Sequence, residues 1–246
     1  MTHYTRTLTF SLFISFAFSQ TQLGSDMDGE AAGDRFGRSV SMNSAGDRVA
    51  IGAYNNDGTA SNAGHVQVYE YSNSTWTQLG SDIDGEAADD ISGWSVSMNS
   101  AGDRVAIGAM YNDGTGNNAG HVRVYEYSNS SWTQVGSDID GEASNDYSGY
   151  LVSMDSAGDR VAIGAIHNDG TGNNAGHVRV YEYSNSTWTQ LGSDIDGEAA
   201  DDYSGYSVSM DSDGGRVAIG AYGNDGTGTD AGHVRVYEYS SGSWSK

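Results

Sequence analysis

The sequence predicts an all-β fold, a β-propeller of four 56-residue, four-stranded blades, and three observations lead there. One unit recurs: "AGHV" begins at Ala63, Ala119, Ala175 and Ala231, 56 residues apart each time, and a period near 50 marks a propeller, solenoid or array. Each unit holds four short runs with strand patterning, and no segment carries a helical period over a useful length. The runs are parted by Gly, Asn, Asp and Ser clusters in a chain with 35 glycines and no proline, which is turn chemistry without rigid linkers. Four antiparallel strands per repeat of this size is the arithmetic of a propeller blade.

The elements follow in chain order. "MTHYTRTLTFSLFISFAFSQ" carries Arg6, an apolar run from Leu8 to Phe18 and an A-x-S pattern ending at Ser19. It reads as a secretory signal peptide, residues 1–19, too short in its apolar part to span a bilayer comfortably. No later stretch is apolar enough to insert, so residues 20–246 are expected to form a secreted propeller with units at about 20–75, 76–131, 132–187 and 188–243. "TQLGS" (Thr21 to Ser25) reads as a fourth strand lacking its first three, and the chain stops at "SWSK". Closure by this N-terminal strand completing the last blade is therefore expected, leaving no free edge. The sequence leaves open whether one chain makes a whole ring or half of a larger one, and whether it forms a homo-oligomer.

Within a unit, "WSVSM" (Trp94 to Met98) alternates and meets the turn "NSAGD". "RVAIGA" (Arg104 to Ala109) is a short apolar run ended by "NDGTGNNAG", and "HVRVYEY" (His121 to Tyr127) alternates and is β-branched and aromatic. "SNSS" turns it into "WTQVGS" (Trp132 to Ser137), before an acidic segment such as "SDIDGEAADD" links to the next unit. Units two and three agree at 46 of 56 positions, so repetition alone is inheritance and not proof of function.

"GDRFGRSVSMNSAGDRVAIGAYNNDGTASNAGHVQVYEY" (Gly33 to Tyr71) resembles the FG-GAP repeat of integrin α-subunit propellers and related microbial and algal secreted proteins. Phe36-Gly37 matches the Phe-Gly element, and Gly52-Ala53-Tyr54 stands where Gly-Ala-Pro is expected. The resemblance implies a propeller and, in integrin-type blades, calcium in a D-x-N-G-D-G-x-x-D hairpin. Here that hairpin is "NSAGDR", "DSAGDR" or "DSDGGR", with Arg48, Arg104, Arg160 and Arg216 in place of the final aspartate. A cation in a ligand position argues against calcium there, since a hard cation needs several anionic oxygens.

A net charge of −22 repels phosphate backbones, so nucleic acid is not an expected partner. Without cysteine, disulfides and thiolate metal sites are excluded. Alternate connections of an antiparallel blade emerge on opposite faces, so the "SNST" hairpins share one face. These carry candidate glycosylation sequons at Asn73, Asn129 and Asn185. The acidic links and the Asn/Gly loops share the other face, which also holds most of the variation between units. There stand the candidate ligand-binding residues Arg35, Arg38, Tyr54, Trp94, Tyr111, Tyr147, Tyr150, His167, Tyr203, Tyr206 and Tyr222. Aromatic faces beside polar groups suit a glycan or protein ligand; the alternative is that these rings pack between blades.

The acidic links also offer candidate calcium ligands at Asp82, Asp84, Glu86 and Asp90, at Asp138, Asp140, Glu142 and Asp146, and at Asp194, Asp196, Glu198 and Asp202. Calcium is thus the cofactor to test, although Gly85 sits at the fourth position where an EF-type loop has it at the sixth. The strand-start histidines His65, His121, His177 and His233 are expected to bond backbone. No catalytic residues are nominated: four equivalent acidic loops distinguish no carboxylate pair, and no serine sits in a nucleophile elbow. The expectation is a non-enzymatic extracellular binding or adhesion module, with a calcium-binding matrix protein as the alternative and a glycan-active enzyme behind both.

Overall fold

The structure, a computed structural model, describes residues 21–246; the expected signal peptide lies outside the described residues. Four antiparallel sheets follow one another along the chain. In the second, strands Ser95–Met98, Arg104–Ala109, His121–Ser128 and Ser131–Gln134 form a simple meander. The first, third and fourth blades repeat it, with a bulge between Ser148 and Leu151 in the third. The two-residue turn Asn73-Ser74, with φ of 51° and 66°, joins the third strand to the fourth, the left-handed pair that a tight hairpin requires. Ser241-Gly242 keeps that turn in blade 4 without the sequon.

Each of the first three blades gains a fifth, two-residue strand from its acidic link. Ile83–Asp84 pairs with Val66 and His65, Ile139–Asp140 with Val122 and His121, and Ile195–Asp196 with Val178 and His177. Among the described residues the last sheet has four strands.

The core lies between blades, not within them. Ala50, Val66, Val68 and Ile83 of blade 1 meet Met98, Val105, Ile107 and Trp132 of blade 2, and the next two junctions repeat the pattern. This explains the continuous apolar run of "RVAIGA", since a central strand covered on both faces has no reason to alternate. Gly108 is required there: a Cβ would collide with the carbonyl of Gly149 on the next blade, and Gly52 faces Gly93 in the same way.

One expectation is corrected. Residues 21–25 do not complete the last blade. The Trp76 indole donates to the Leu23 carbonyl at 2.9 Å, as Trp132 does to Leu79, Trp188 to Val135 and Trp244 to Leu191. "TQLGS" is thus held as the link that enters blade 1. The outer faces of blades 1 and 4 stay exposed at Val40, Met42, Val234 and Val236, so the four blades form an open row.

Candidate functional site: an aromatic rim and interblade histidine clusters

The first strands lie side by side, and one residue at the entrance of each sits at the mouth between them, just before the strand in blades 1, 2 and 4 and within the bulged strand Ser148–Met154 in blade 3. Arg38, Trp94, Tyr150 and Tyr206 are these equivalent positions, and they line a cleft of about 390 Å³. The Arg38 guanidinium lies 4.2 Å from the centre of the Trp94 ring, a cation–π contact.

From this mouth an unbroken chain of ring contacts runs outward. Tyr54 meets Trp94 at 5.2 Å, Trp94 meets Tyr150 at 5.9 Å, and Tyr150 meets Tyr206 at 5.3 Å. Tyr206 abuts Tyr222 at 4.6 Å, and Tyr222 stacks on Tyr203 at 5.2 Å. Tyr203 then reaches His167 at 5.6 Å, His167 reaches Tyr147 at 4.7 Å, and Tyr147 reaches Tyr111 at 5.3 Å. Nine of the eleven candidate residues expected from the sequence therefore form one surface, with Arg38 as a tenth member. Arg35 is exposed and contributes its carbonyl, which accepts from the Arg38 amide at 3.2 Å. Tyr111, Tyr206 and Tyr222 are exposed; Tyr54, Trp94, Tyr147, Tyr150, His167 and Tyr203 are half-buried. Packing and presentation are thus both served.

Local backbone geometry aims the outer rings. Arg35, Ile91, Tyr147 and Tyr203 all have φ between 53° and 60°, a left-handed conformation that costs a non-glycine residue about 1–2 kcal/mol. The last three are held there by amides donating to the carbonyls of Asn62, Asn118 and Asn174. Burial pushes the Tyr150 phenol well above its usual range, with Tyr206 adding to it, and burial also lifts Tyr222. His167 is lowered by burial. Tyr150, Tyr222 and His167 are accordingly neutral near pH 7.

The acidic links divide their carboxylates among several places. Asp90, Asp146 and Asp202 are buried, and each accepts from the link's own backbone and from Asn112, Asn168 or Asn224. They clamp one loop to another and are spent as ligands. Asp84, Asp140 and Asp196 lie in the short fifth strands. Asp82, Asp138 and Asp194 accept from the glutamines four residues before them. Glu86, Glu142 and Glu198 bond Arg123, Arg179 and Arg235 of the following blade. One link therefore builds no single cage.

What the fold brings together instead, among the described residues, are three interblade sets: Glu30, His65 and Asp82; Glu86, His121 and Asp138; Glu142, His177 and Asp194. These groups could hold a metal ion. The expectation that the histidines bond backbone is corrected: Nε2 of His65 and both ring nitrogens of His177 are buried without a hydrogen-bond partner. His177 Nδ1 lies 3.9 Å from both Glu142 and Asp194. That is too long for a hydrogen bond and compatible with an ion between them. Burial, helped by the neighbouring arginine, lowers His121 and His177 to about 4, which leaves them neutral and able to act as nitrogen donors. Sequence reasoning missed these sets because their members come from two different links; only the common offset of Glu, His and Asp from unit to unit hinted at them.

The hairpin expected from integrin-type blades does not fit calcium. Asn43 accepts from the amides of Asp47 and Arg48 and donates to the Asp47 carboxylate, while Arg48 bonds Glu70 and the Gly102 carbonyl. Its oxygens are already engaged, and the arginine is a cross-blade tie.

Fold and rim together define a repeat protein of the β-propeller class. The family model of the FG-GAP repeat matches residues 25–69 and 194–237, so repeats of this kind are found at these two places. Comparison with curated proteins finds no match. Among solved structures it is similar to a candidate 6-phosphogluconolactonase from Bacteroides uniformis, with TM-score 0.57 and 10% identity over 84% of this chain and 52% of that one. The periplasmic gluconolactonase PpgL of Pseudomonas aeruginosa gives TM-score 0.55 and 12% identity over 84% and 55%. Kuenenia stuttgartiensis hydrazine synthase gives 0.50 and 10% over 83% and 51%. The chain spans about half the length of these structures, and at such identity the likeness is one of fold.

These neighbours correct the expectation that the protein is not an enzyme. Two of the three bear lactonase names, so this architecture is compatible with catalysis.

Proposed function

We propose that this is a secreted binding protein whose aromatic rim takes a glycan, with sugar rings seated against Trp94, Tyr150, Tyr206 and Tyr222. The observation that carries this reading is the continuity of nine rings beside Arg38 and the acidic loops. Flat apolar faces with a few polar groups at the edge are what a sugar ring needs. The test is a glycan array with the whole chain, followed by calorimetry on any hit. Tyr150→Ala and Tyr206→Ala should each weaken binding at least tenfold while the melting curve stays cooperative. Loss of folding in both variants would assign the rings to packing, and capture of a protein partner with no glycan bound would replace the ligand class. Incubating the same sample with sugar lactones reads hydrolysis directly.

A second reading rests on the buried, unpartnered nitrogens of His177: a divalent cation held by Glu142, His177 and Asp194. A set with an imidazole suits zinc better than calcium, which prefers an all-oxygen shell. Zinc should raise the melting temperature in wild type and not in His177→Ala; calcium should act weakly. No shift with either ion removes this reading.

A further inference from the structure

We infer that the two exposed end faces of the row pair head-to-tail with a second copy of the chain, at two equivalent junctions that close one ring. The argument is independent of the glycan reading and rests on what the three internal junctions do.

Each internal junction covers the same residues. Val66, Val68, Val122, Val124, Val178 and Val180 are fully buried by the next blade, whereas their blade 4 counterparts Val234 and Val236 are 68% and 55% exposed. On the receiving side, Met98 and Met154 are buried, while Met42 of blade 1 is 53% exposed and Val40 beside it 63%. The leading face of blade 1 is thus the surface that the trailing face of every other blade already binds. The repeat itself states what fits there.

Polar groups at the two ends are complementary in the same way. Ser41, Ser97 and Ser153 hydroxyls accept from the Met98, Met154 and Met210 amides across junctions; at the ends, Ser209 faces no such amide, and the Met42 amide is its match. Arg48, Arg104 and Arg160 reach the carbonyls of Gly102, Gly158 and Gly214 on the next blade. Arg216 makes only its Glu238 pair, with its side chain 62% exposed, and the Gly46 carbonyl is the counterpart.

The entry segment completes the case. It is already fixed on blade 1 through Leu23 and Trp76, as each internal link is fixed on the blade it enters. Internal links also return two residues to the preceding blade as its fifth strand, and blade 4 lacks that strand. By the 56-residue register, Met27 and Asp28 of a second copy would pair with Val234 and His233. The same register brings that copy's Asp26 to Glu198 and His233, which lie 3.8 Å apart. This set lacks the aspartate of the other three, and Lys246 bonds Glu198 at 2.9 Å. The partner would thus contribute the missing residue. Four blades span 51–55% of the solved chains they match, so two copies have the extent of a full ring. Head-to-tail contact between unlike faces closes or grows into a filament; two copies of this extent favour closure.

Sedimentation equilibrium of the whole chain over a wide concentration range tests this. A species of twice the mass of the single chain is expected, the 246 residues amounting to 25.9 kDa before any leader is removed. Val40→Asp and Val234→Asp alter positions exposed in the single chain, so each should fold, as its circular dichroism and melting curve will show, and each alone should sediment as one chain. Their mixture should regain a two-chain species, since one intact head and one intact tail remain. A wild type that stays single at every concentration overturns the inference. So does pairing that survives Val40→Asp, which would mean tail-to-tail contact, or mass that grows without limit, which would mean an open filament.

Discussion

At the scale of single residues, the buried histidines and the interface glycines carry the sharpest consequences. His121 and His177 sit near 4 in the folded chain against about 6.5 when unfolded. Between those values the unfolded chain binds protons that the folded chain refuses, so stability is complete above about pH 6.5 and is lost as pH falls toward 4. Each histidine can account for about 3 kcal/mol over that window. The carboxylates of Asp140, Glu142 and Asp146 are raised, chiefly by partial desolvation, and act oppositely, holding protons in the fold at the acid end. The melting temperature in metal-free buffer should therefore drop most steeply around pH 5, about midway between the two values, and less steeply in His177→Gln. A flat profile from pH 7 to 5 would contradict this. Gly108→Ala should cost about 3 kcal/mol or more in urea unfolding, because the methyl group meets the backbone carbonyl of Gly149, which cannot turn aside. These two features differ in legibility. The glycine of "RVAIGA" stands out in the sequence, but its reason is a neighbour 41 positions away. The histidines were visible as a motif, yet their burial without partners was not.

At the scale of elements, the acidic links hold the blades in register more than they display charge. Asp146 accepts from Asn168 at 3.0 Å and from the Ala143 amide at 3.2 Å, both in the loop layer. Asp146→Ala leaves two donors unpaired and should cost about 2–3 kcal/mol. Ser144→Ala, two residues earlier and exposed, should change the melting temperature by little; equal losses in the two variants would sink the clamp. All four main strands of each blade, the hairpin turns and the shared face of links and loops were readable from alternation and turn residues. The fifth strand was not, because two residues carry no periodic signal and are ordered only by the edge of the third strand that the fourth leaves free. "TQLGS" was misread for a related reason: the same five residues serve as strand end and link, and the Trp76 indole decides which by bonding the Leu23 carbonyl.

At the scale of the whole molecule, charge and openness dominate. A net charge of −22 on 246 residues makes the folded state repel itself. Added monovalent salt screens this within about 8 Å at 0.15 M, so the melting temperature should rise from low salt to physiological salt. A fall would mean that the cross-strand ion pairs within blades, Arg48–Glu70, Arg104–Glu126 and Arg160–Glu182, outweigh the repulsion.

The sequence by itself determined the period, the number of blades, the strands and turns, and the face on which the variable aromatic residues gather, because these depend on local alternation and on a repeat that can be counted. The tertiary structure alone decided which residues become core. "HVRVYEYS" is identical in blades 2, 3 and 4, yet its first half is wholly buried in blades 2 and 3 and alternates between partly covered and exposed in blade 4. The reason is that a propeller strand has no inside of its own: a neighbouring blade buries its second face, and blade 4 has a neighbour on one side only.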